Sequence, residues 1–232
     1  MLIKDGVAQL DRSRQVAVQV YDILKDRILS VALEPGVVLS RAALQQEFGV
    51  SQTPVRDALL RLQEDGLVDI YPQYATRVSR IDVEHARQAQ FLRLSVEIEA
   101  VRRLAADTPV ETAAALASIL EQQQQVAHPS TYDQFDVLDR EFHRVLYERT
   151  NNPLAWKVVR RQSVHLDRLR RLNLPMPGKL QSLLEDHRDI LKAIGRGDSD
   201  GAAAALRKHL SGTLSMIGAI RERFPNYIVQ SE

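Results

Sequence analysis

The chain of 232 residues is long enough for two modest domains and contains no cysteine, which excludes a disulfide framework and a thiolate metal site. It has no apolar run near the ~20 residues of a membrane helix and no start typical of a signal peptide, so we expect a cytoplasmic protein with no membrane partner. Its net charge is +1, and residues 1–80 carry ten Lys or Arg against ten Asp or Glu. Bulk charge therefore gives no support for nucleic-acid binding.

The N-terminal region is predicted to begin with a polar arm and one amphipathic helix. Residues 1–13 show no clear periodicity, and we expect them to form a flexible arm. Apolar residues then recur at helical spacing until Glu34, Pro35 and Gly36 stop the helix. They are Val16, Val20, Ile23, Leu24, Ile28 and Val31. This pattern predicts the supporting helix of a small domain.

Two further short helices follow, joined by a tight turn. Residues 40–48 are amphipathic, and Gly49 can adopt the positive φ that a tight connection needs. The next helix is predicted to begin near Gln52, with the side chain of Ser51 capping it and Pro54 tolerated in its first turn. Two short helices joined in this way make a helix-turn-helix.

The second of these helices has an apolar face and a polar face. The apolar face holds Val55, Ala58, Leu59 and Leu62, and the polar face holds Thr53, Arg56, Asp57 and Arg61. After Gly66, β-forming residues flank a polar tip at residues 72–76, which predicts the hairpin, or wing, of a winged helix. These include Val68, Ile70 and Val78. On spacing alone, any small helical subdomain with a hairpin is an equal alternative.

The rest of the sequence is almost entirely helical in pattern. Breaks at Pro, Gly and Asn separate predicted helices at residues 82–106, 109–127, 131–149, 153–172, 178–195 and 199–220. We therefore predict a mainly α chain. A winged helix-turn-helix domain occupies residues 1–80, and an all-α helical bundle occupies residues 81–232.

Four polar residues lie on or beside apolar faces of the predicted bundle. His187 and His209 each interrupt an apolar stripe, and Asp139 and His143, four residues apart, lie together at the edge of another. A single such histidine is most often a core residue satisfied by a hydrogen bond. Leaving all four unsatisfied would cost about 1–3 kcal/mol each. One divalent ion, such as zinc, nickel or manganese, would satisfy all four, because imidazole nitrogen and carboxylate oxygen both bind such ions.

Arg93 also lies where an apolar residue is expected. Beside a metal ion, a buried guanidinium would bind a carboxylate through a bidentate pair. The alternative is an intramolecular salt bridge with Glu97 or another acid. His165 is a weaker candidate for the same pocket.

Two parts of the sequence resemble a known family. The stretch LxxEFGVSQTPVRDALLRLQEDGLV is similar to the N-terminal signature of the GntR family of bacterial transcription regulators. The stretches DREFHRVL, EDHRDILKAI and LRKHL resemble metal-binding motifs of the FCD-type effector domain found in the FadR branch of that family. By this resemblance the metal ligands are Asp139, His143, His187 and His209.

We expect a ligand-responsive transcription factor rather than an enzyme. A homodimer, acting as a repressor, would bind an inverted-repeat operator in double-stranded DNA, because one winged domain makes too few base contacts. Its effector would be a small organic acid held by the metal and Arg93. The predicted DNA contacts are Gln52, Thr53 and Arg56 to base edges, and Arg41, Ser51, Gln73, Tyr74, Thr76 and Arg77 to phosphates or the minor groove.

Two other functions remain open from the sequence. The bundle could be a metal-dependent hydrolase fused to a DNA-binding domain, since metals bound by His and Asp activate water. Against this, no further Glu or His is evident as a general base. Alternatively, the metal is purely structural and the bundle only dimerises.

Overall fold

Helices make up most of the chain, as predicted, with one small sheet near the N-terminus. The computed structural model describes residues 10, 11, 13–107 and 109–230, so most of the arm predicted at residues 1–13 lies outside the described residues. The elements are α1 (Val16–Leu29), α2 (Arg41–Phe48), α3 (Gln52–Glu64), β1 (Val68–Tyr71), β2 (Ala75–Val78), α4 (Val83–Ala106), α5 (Val110–Gln125), α6 (Tyr132–Arg149), α7 (Pro153–Gln162), α8 (Val164–Asn173), α9 (Lys179–Gly195), α10 (Ser199–Ser211) and α11 (Ile217–Arg223). Short 3-10 turns lie at Pro129–Thr131 and Leu214–Met216.

The first unit contains the predicted helix-turn-helix. The Ser40 hydroxyl caps α2 by accepting from the amide of Ala43 at 3.3 Å, and Gly49 ends α2 with a left-handed φ of 63°. That conformation lets α3 begin three residues later. Ser51 is the N-cap residue of α3, but its side chain makes no capping hydrogen bond, so this detail of the prediction was wrong.

The predicted wing is present as an antiparallel hairpin. Strands β1 and β2 pair with Val68 opposite Val78 and Tyr71 opposite Ala75, and the turn between them includes Gln73 at a φ of 60°. A bridge between Val38 and Arg77 adds a short third segment to the sheet. The winged helix-turn-helix fold class is therefore confirmed.

The C-terminal end of the chain returns to the first unit. This unit contains the described residues up to Asp82 together with residues 221–230, which the sequence analysis grouped with the bundle. The amide of Ile81 donates to the carbonyl of Tyr227 at 2.8 Å, and the amide of Val229 donates to the carbonyl of Ile81 at 3.0 Å. A short parallel bridge thus holds the last described residues against the chain that leaves the wing.

The second unit, Val83–Ile220, is a bundle of helices built around α4. Helix α4 contacts α6, α7, α8, α9 and α10. Fully buried apolar side chains from five helices form its core, including Val101, Leu116, Phe142, Leu184 and Leu206. None of the helices in the described part of the chain is long and apolar enough to span a bilayer.

Two of the predicted helix boundaries in the bundle were wrong. The helix expected at residues 153–172 is interrupted at Ser163, whose hydroxyl donates to the carbonyl of Val159 at 2.7 Å. The helix expected at residues 199–220 ends at Ser211 and is followed by a 3-10 turn. Continuous apolar spacing does not report such local breaks, because the same faces stay buried on both sides of them.

The apolar face of α3 generates a stability prediction with a neighbouring control. Leu59 is fully buried, whereas Leu60 on the same helix is 43% exposed. Leu59→Ala should lower the free energy of unfolding by about 2–5 kcal/mol, because it leaves a cavity in the core. Leu60→Ala should change it by about 0.5 kcal/mol or less. Urea unfolding followed by circular dichroism measures both, and equal losses would contradict the buried position of Leu59.

Candidate functional site

Four polar side chains from three helices meet inside the bundle. Helix α6 contributes Asp139 and His143, α9 contributes His187, and α10 contributes His209. Each offers one ligand atom that lies within 4.8 Å of the other three. All four side chains are buried, with residue exposures of 1%, 1%, 0% and 7% in that order. We call these residues the His3Asp cluster.

The three imidazoles of the His3Asp cluster face one another through Nε2. The Nε2 atom of His209 lies 3.1 Å from Nε2 of His143 and 3.2 Å from Nε2 of His187. Metal–nitrogen bonds of about 2.0–2.1 Å place two bound nitrogens about 2.9–3.4 Å apart, from octahedral to tetrahedral geometry. The Asp139 oxygens lie 3.6 Å and 3.7 Å from Nε2 of His187 and His143. The cluster could therefore hold a metal ion after small shifts.

The outward-facing nitrogens determine where the imidazole protons lie. Nδ1 of His143 is 2.6 Å from a Glu97 oxygen, and Nδ1 of His187 is 2.9 Å from the side-chain oxygen of Gln123. Both oxygens are acceptors, so each Nδ1 carries the proton and each Nε2 presents a lone pair to the cluster. Nδ1 of His209 lies 3.8 Å from Asp186, too far for a hydrogen bond.

Asp139 is a buried carboxylate with unused acceptor capacity. Neither of its oxygens has a hydrogen-bond partner among the described residues, although the Arg170 guanidinium lies 2.7 Å away. Burial opposes ionisation, but Arg170 and the three histidines hold the pKa of Asp139 far below its ordinary value. The carboxylate is therefore charged and able to bind a cation. Burial also lowers the pKa of His143 to about 4, so its imidazole is neutral at pH 7.

Arg93 forms the salt bridge that the sequence analysis left open as an alternative. Its Nε donates to Glu97 at 2.7 Å, one turn along α4, and its side chain is 10% exposed. Against the opposing effect of burial, Arg93 and His143 hold the pKa of Glu97 down to about 2. Within the described residues the two Nη nitrogens of Arg93 make no hydrogen bond. The guanidinium thus keeps two donor nitrogens for a further anion.

Sequence reasoning did not find two residues around the cluster. Gln123 lies in the run EQQQQ, which resembles a solvated face, yet it is fully buried. Its spacing from Leu116 and Leu120 is the signal that could have revealed this. Arg170 gave no such signal, because its partner Asp139 lies on a different helix. His165 is buried with His85 and Arg168 rather than in the cluster.

The polar face of α3 is open to solvent in the first unit. The exposed predicted DNA contacts are Arg41, Ser51, Gln52, Thr53, Arg56, Gln73 and Tyr74. A groove of about 370 Å³ brings Arg41 together with Gln73 and Tyr74 at the start of α2 and the tip of the wing. Arg56 lies 3.5 Å from Asp57 and keeps most of its side chain in solvent, at 59% exposure.

Two residues of the predicted DNA-contacting set are placed less favourably. Thr76 is only 4% exposed, because alternate residues of β2 face the core, so we leave it out of the set. Arg77 is half-buried and donates to the carbonyl of Gly36 at 3.2 Å. Arg61, on the polar face of α3, stacks over the ring of Tyr21 at 4.4 Å.

Comparison with known proteins assigns both units. The model of the bacterial regulatory proteins of the gntR family matches residues 16–78, and the FCD domain model matches residues 88–212. The HTH-type transcriptional repressor RspR of Escherichia coli (strain K12) is 30% identical over 214 residues, which is 92% of this chain and 94% of that protein. The chain belongs to the GntR family of transcriptional regulators. The metal-dependent hydrolase is therefore excluded in favour of a regulator with an FCD domain.

Other GntR relatives agree over nearly the whole length. A Streptomyces ambofaciens HTH-type transcriptional regulator in an unstable DNA locus is 34% identical over 206 residues, covering 89% of this chain and 86% of that protein. The solved structure of E. coli McbR/YncC superposes with a TM-score of 0.74 and 24% identity, covering 89% of this chain and 98% of that one. This structural likeness shows the shared fold.

The buried pair on α4 can be tested against an exposed pair of the same spacing. Arg93→Met should destabilise the metal-free protein by about 3–5 kcal/mol, because Glu97 would stay buried without its cation. Arg103 pairs with Glu99 on the same helix, and these side chains are 60% and 58% exposed. Arg103→Met should cost about 1 kcal/mol or less. Chemical unfolding measures the free energy of unfolding of both variants. A loss of about 1 kcal/mol or less for Arg93→Met would contradict the role of the buried ion pair.

Proposed function

We propose that this GntR regulator is a repressor that binds, as a homodimer, an inverted-repeat operator in double-stranded DNA within the cytoplasm. The exposed N-terminal half of α3 supports the proposal, since a recognition helix reads base edges in the major groove with such residues. One winged domain makes too few base contacts for specific binding, and two-fold symmetry would double their number. The similarity to RspR, a repressor by its name, favours repression over activation.

The proposed contacts divide between base edges and the DNA backbone. Arg56 suits guanine, because its guanidinium can bond both O6 and N7. Gln52 and Thr53 precede it on the same exposed turn. Backbone or minor-groove contacts are proposed for Arg41, Ser51, Gln73, Tyr74 and Arg77, with Arg77 contributing only the donors that Gly36 does not use.

Arg56 provides the test of DNA reading. Arg56→Ala should reduce the preference for operator over scrambled duplex by about 5–150-fold, corresponding to about 1–3 kcal/mol for a bidentate base contact. Fluorescence anisotropy measures this with an operator first selected from random duplexes. Arg103→Ala removes the same charge from an exposed position on α4 and should leave the preference unchanged. An Arg56→Ala protein that prefers its operator as strongly as the parent does would refute the assignment.

We further propose that the His3Asp cluster binds one divalent ion, such as zinc, nickel or manganese. The convergence of three Nε2 atoms and one carboxylate with unused acceptor capacity supports this most directly, because imidazole nitrogen and carboxylate oxygen both bind a divalent cation. The ion would act as a Lewis acid for an anionic effector. Arg93, with two free donor nitrogens, would hold the carboxylate of a small organic acid.

The organic acid is proposed to control operator binding. An effector that favours one arrangement of the bundle by about 1–3 kcal/mol would be sufficient for a useful switch. Binding to Arg93 would compete with, or add to, the existing contact between Arg93 and Glu97. The charge balance of the polar core would therefore differ between the free and the bound protein.

Metal content tests the cluster directly. Elemental mass spectrometry should find about one divalent ion per chain in the parent and little in His143→Ala or His187→Ala, since each variant removes one of four ligands. His128→Ala is the control, because His128 is exposed and caps the 3-10 turn at Pro129–Thr131. Equal metal content in all four proteins would place the ion elsewhere. If small carboxylates leave the metal-loaded protein's operator affinity unchanged, a purely structural metal would be favoured.

A further inference from the structure

The carboxylate of Glu97 joins two parts of the buried polar core. Glu97 lies on α4 and is fully buried. One of its oxygens accepts from Nδ1 of His143 at 2.6 Å. The other accepts from Nε of Arg93 at 2.7 Å and from the hydroxyl of Tyr147 at 3.2 Å. Three donors from two helices thus fix one carboxylate.

These contacts leave His143 little freedom. A carboxylate paired with Arg93 is an acceptor only, so Nδ1 of His143 must donate to it. The neutral ring then has its lone pair at Nε2, which faces His209 at 3.1 Å. Rotation of the ring would leave the buried Glu97 oxygen without its donor, which is unfavourable for a fully buried acceptor.

The equivalent contact of His187 is of a different kind. Its Nδ1 donates to the neutral amide oxygen of Gln123, and its ring stacks on Phe142 with centroids 4.1 Å apart. A carboxylate acceptor makes an imidazole more electron-rich than an amide acceptor does. Among the three histidines of the cluster, His143 is therefore the one whose basicity a charged neighbour sets through a direct hydrogen bond.

We propose that Glu97 is a positioning residue that fixes the tautomer and orientation of His143 and thereby sets the affinity of the His3Asp cluster for a divalent cation. This inference rests on the proposed metal site. Arg93 and Tyr147 hold the Glu97 carboxylate in place, so Arg93 contacts the same carboxylate that orients a metal ligand. An anion bound by Arg93 then acts on the cation through a single shared side chain.

Zinc affinity tests the role of Glu97. The full-length protein is stripped of metal and titrated with Zn²⁺ against a chromophoric chelator. Glu97→Gln keeps the size of the side chain but removes its charge, and it should weaken zinc binding about 10–100-fold. Glu99→Gln removes an exposed carboxylate two residues along the same helix and should bind zinc like the parent. Parent-like affinity in Glu97→Gln would overturn the proposal.

A second measurement needs neither a variant nor a metal. Long-range ¹H–¹⁵N spectra of the metal-free parent, labelled in its histidines, report which ring nitrogen of His143 carries the proton. The proposal requires the Nδ1–H form, and the Nε2–H form would overturn it even if Glu97→Gln failed to fold. A parent that binds no zinc would overturn the metal site itself. Zinc binding by the parent with unchanged affinity in Glu97→Gln would overturn only the role of Glu97.

Discussion

The helical bundle depends on the mutual compensation of charges that its core encloses. A carboxylate as deeply buried as Asp139 is tolerable only beside a cation, and Arg170 supplies one at 2.7 Å. Burial lowers the pKa values of His143 and His187, so both rings are neutral and each must place one nitrogen as a donor and one as an acceptor. Acceptors on α4 and α5 meet the outward nitrogens of His143 and His187. The inward lone pairs then face Asp139, and this concentration of electron density is what makes a bound cation favourable.

Helix α4 shows how burial changes the meaning of the same sequence spacing. Arg93 with Glu97 and Glu99 with Arg103 are both pairs separated by four residues. The exposed pair is screened by water and contributes little, whereas the buried pair fixes a network that reaches His143. Because α4 contacts most of the other bundle helices, a change in that network can alter the packing of the whole unit.

The winged unit relies on local placement rather than on net charge. Burial of the apolar face of α3 leaves Arg56 projecting into solvent, where its charge is available to DNA. A groove beside the wing tip brings Arg41 and Tyr74 together within the same unit. The chain's near neutrality is therefore compatible with a DNA-binding role, because steering needs a local positive surface and not a basic protein. The returning C-terminal segment completes this unit at Ile81.

The sequence by itself determined the helix-turn-helix, the wing, most of the bundle helices and the four members of the His3Asp cluster. Apolar periodicity reports which face of each element is buried, and glycine or proline breaks report where an element ends. The family resemblance identifies the four residues as metal ligands. Tertiary structure alone decided the partners: Gln123 and Glu97 behind the histidines, Arg170 beside Asp139, and residues 221–230 against Ile81. A periodic pattern shows that a polar residue is buried. Its hydrogen-bond or ion-pair partner lies on another helix, far away in the sequence, so a local pattern cannot identify it.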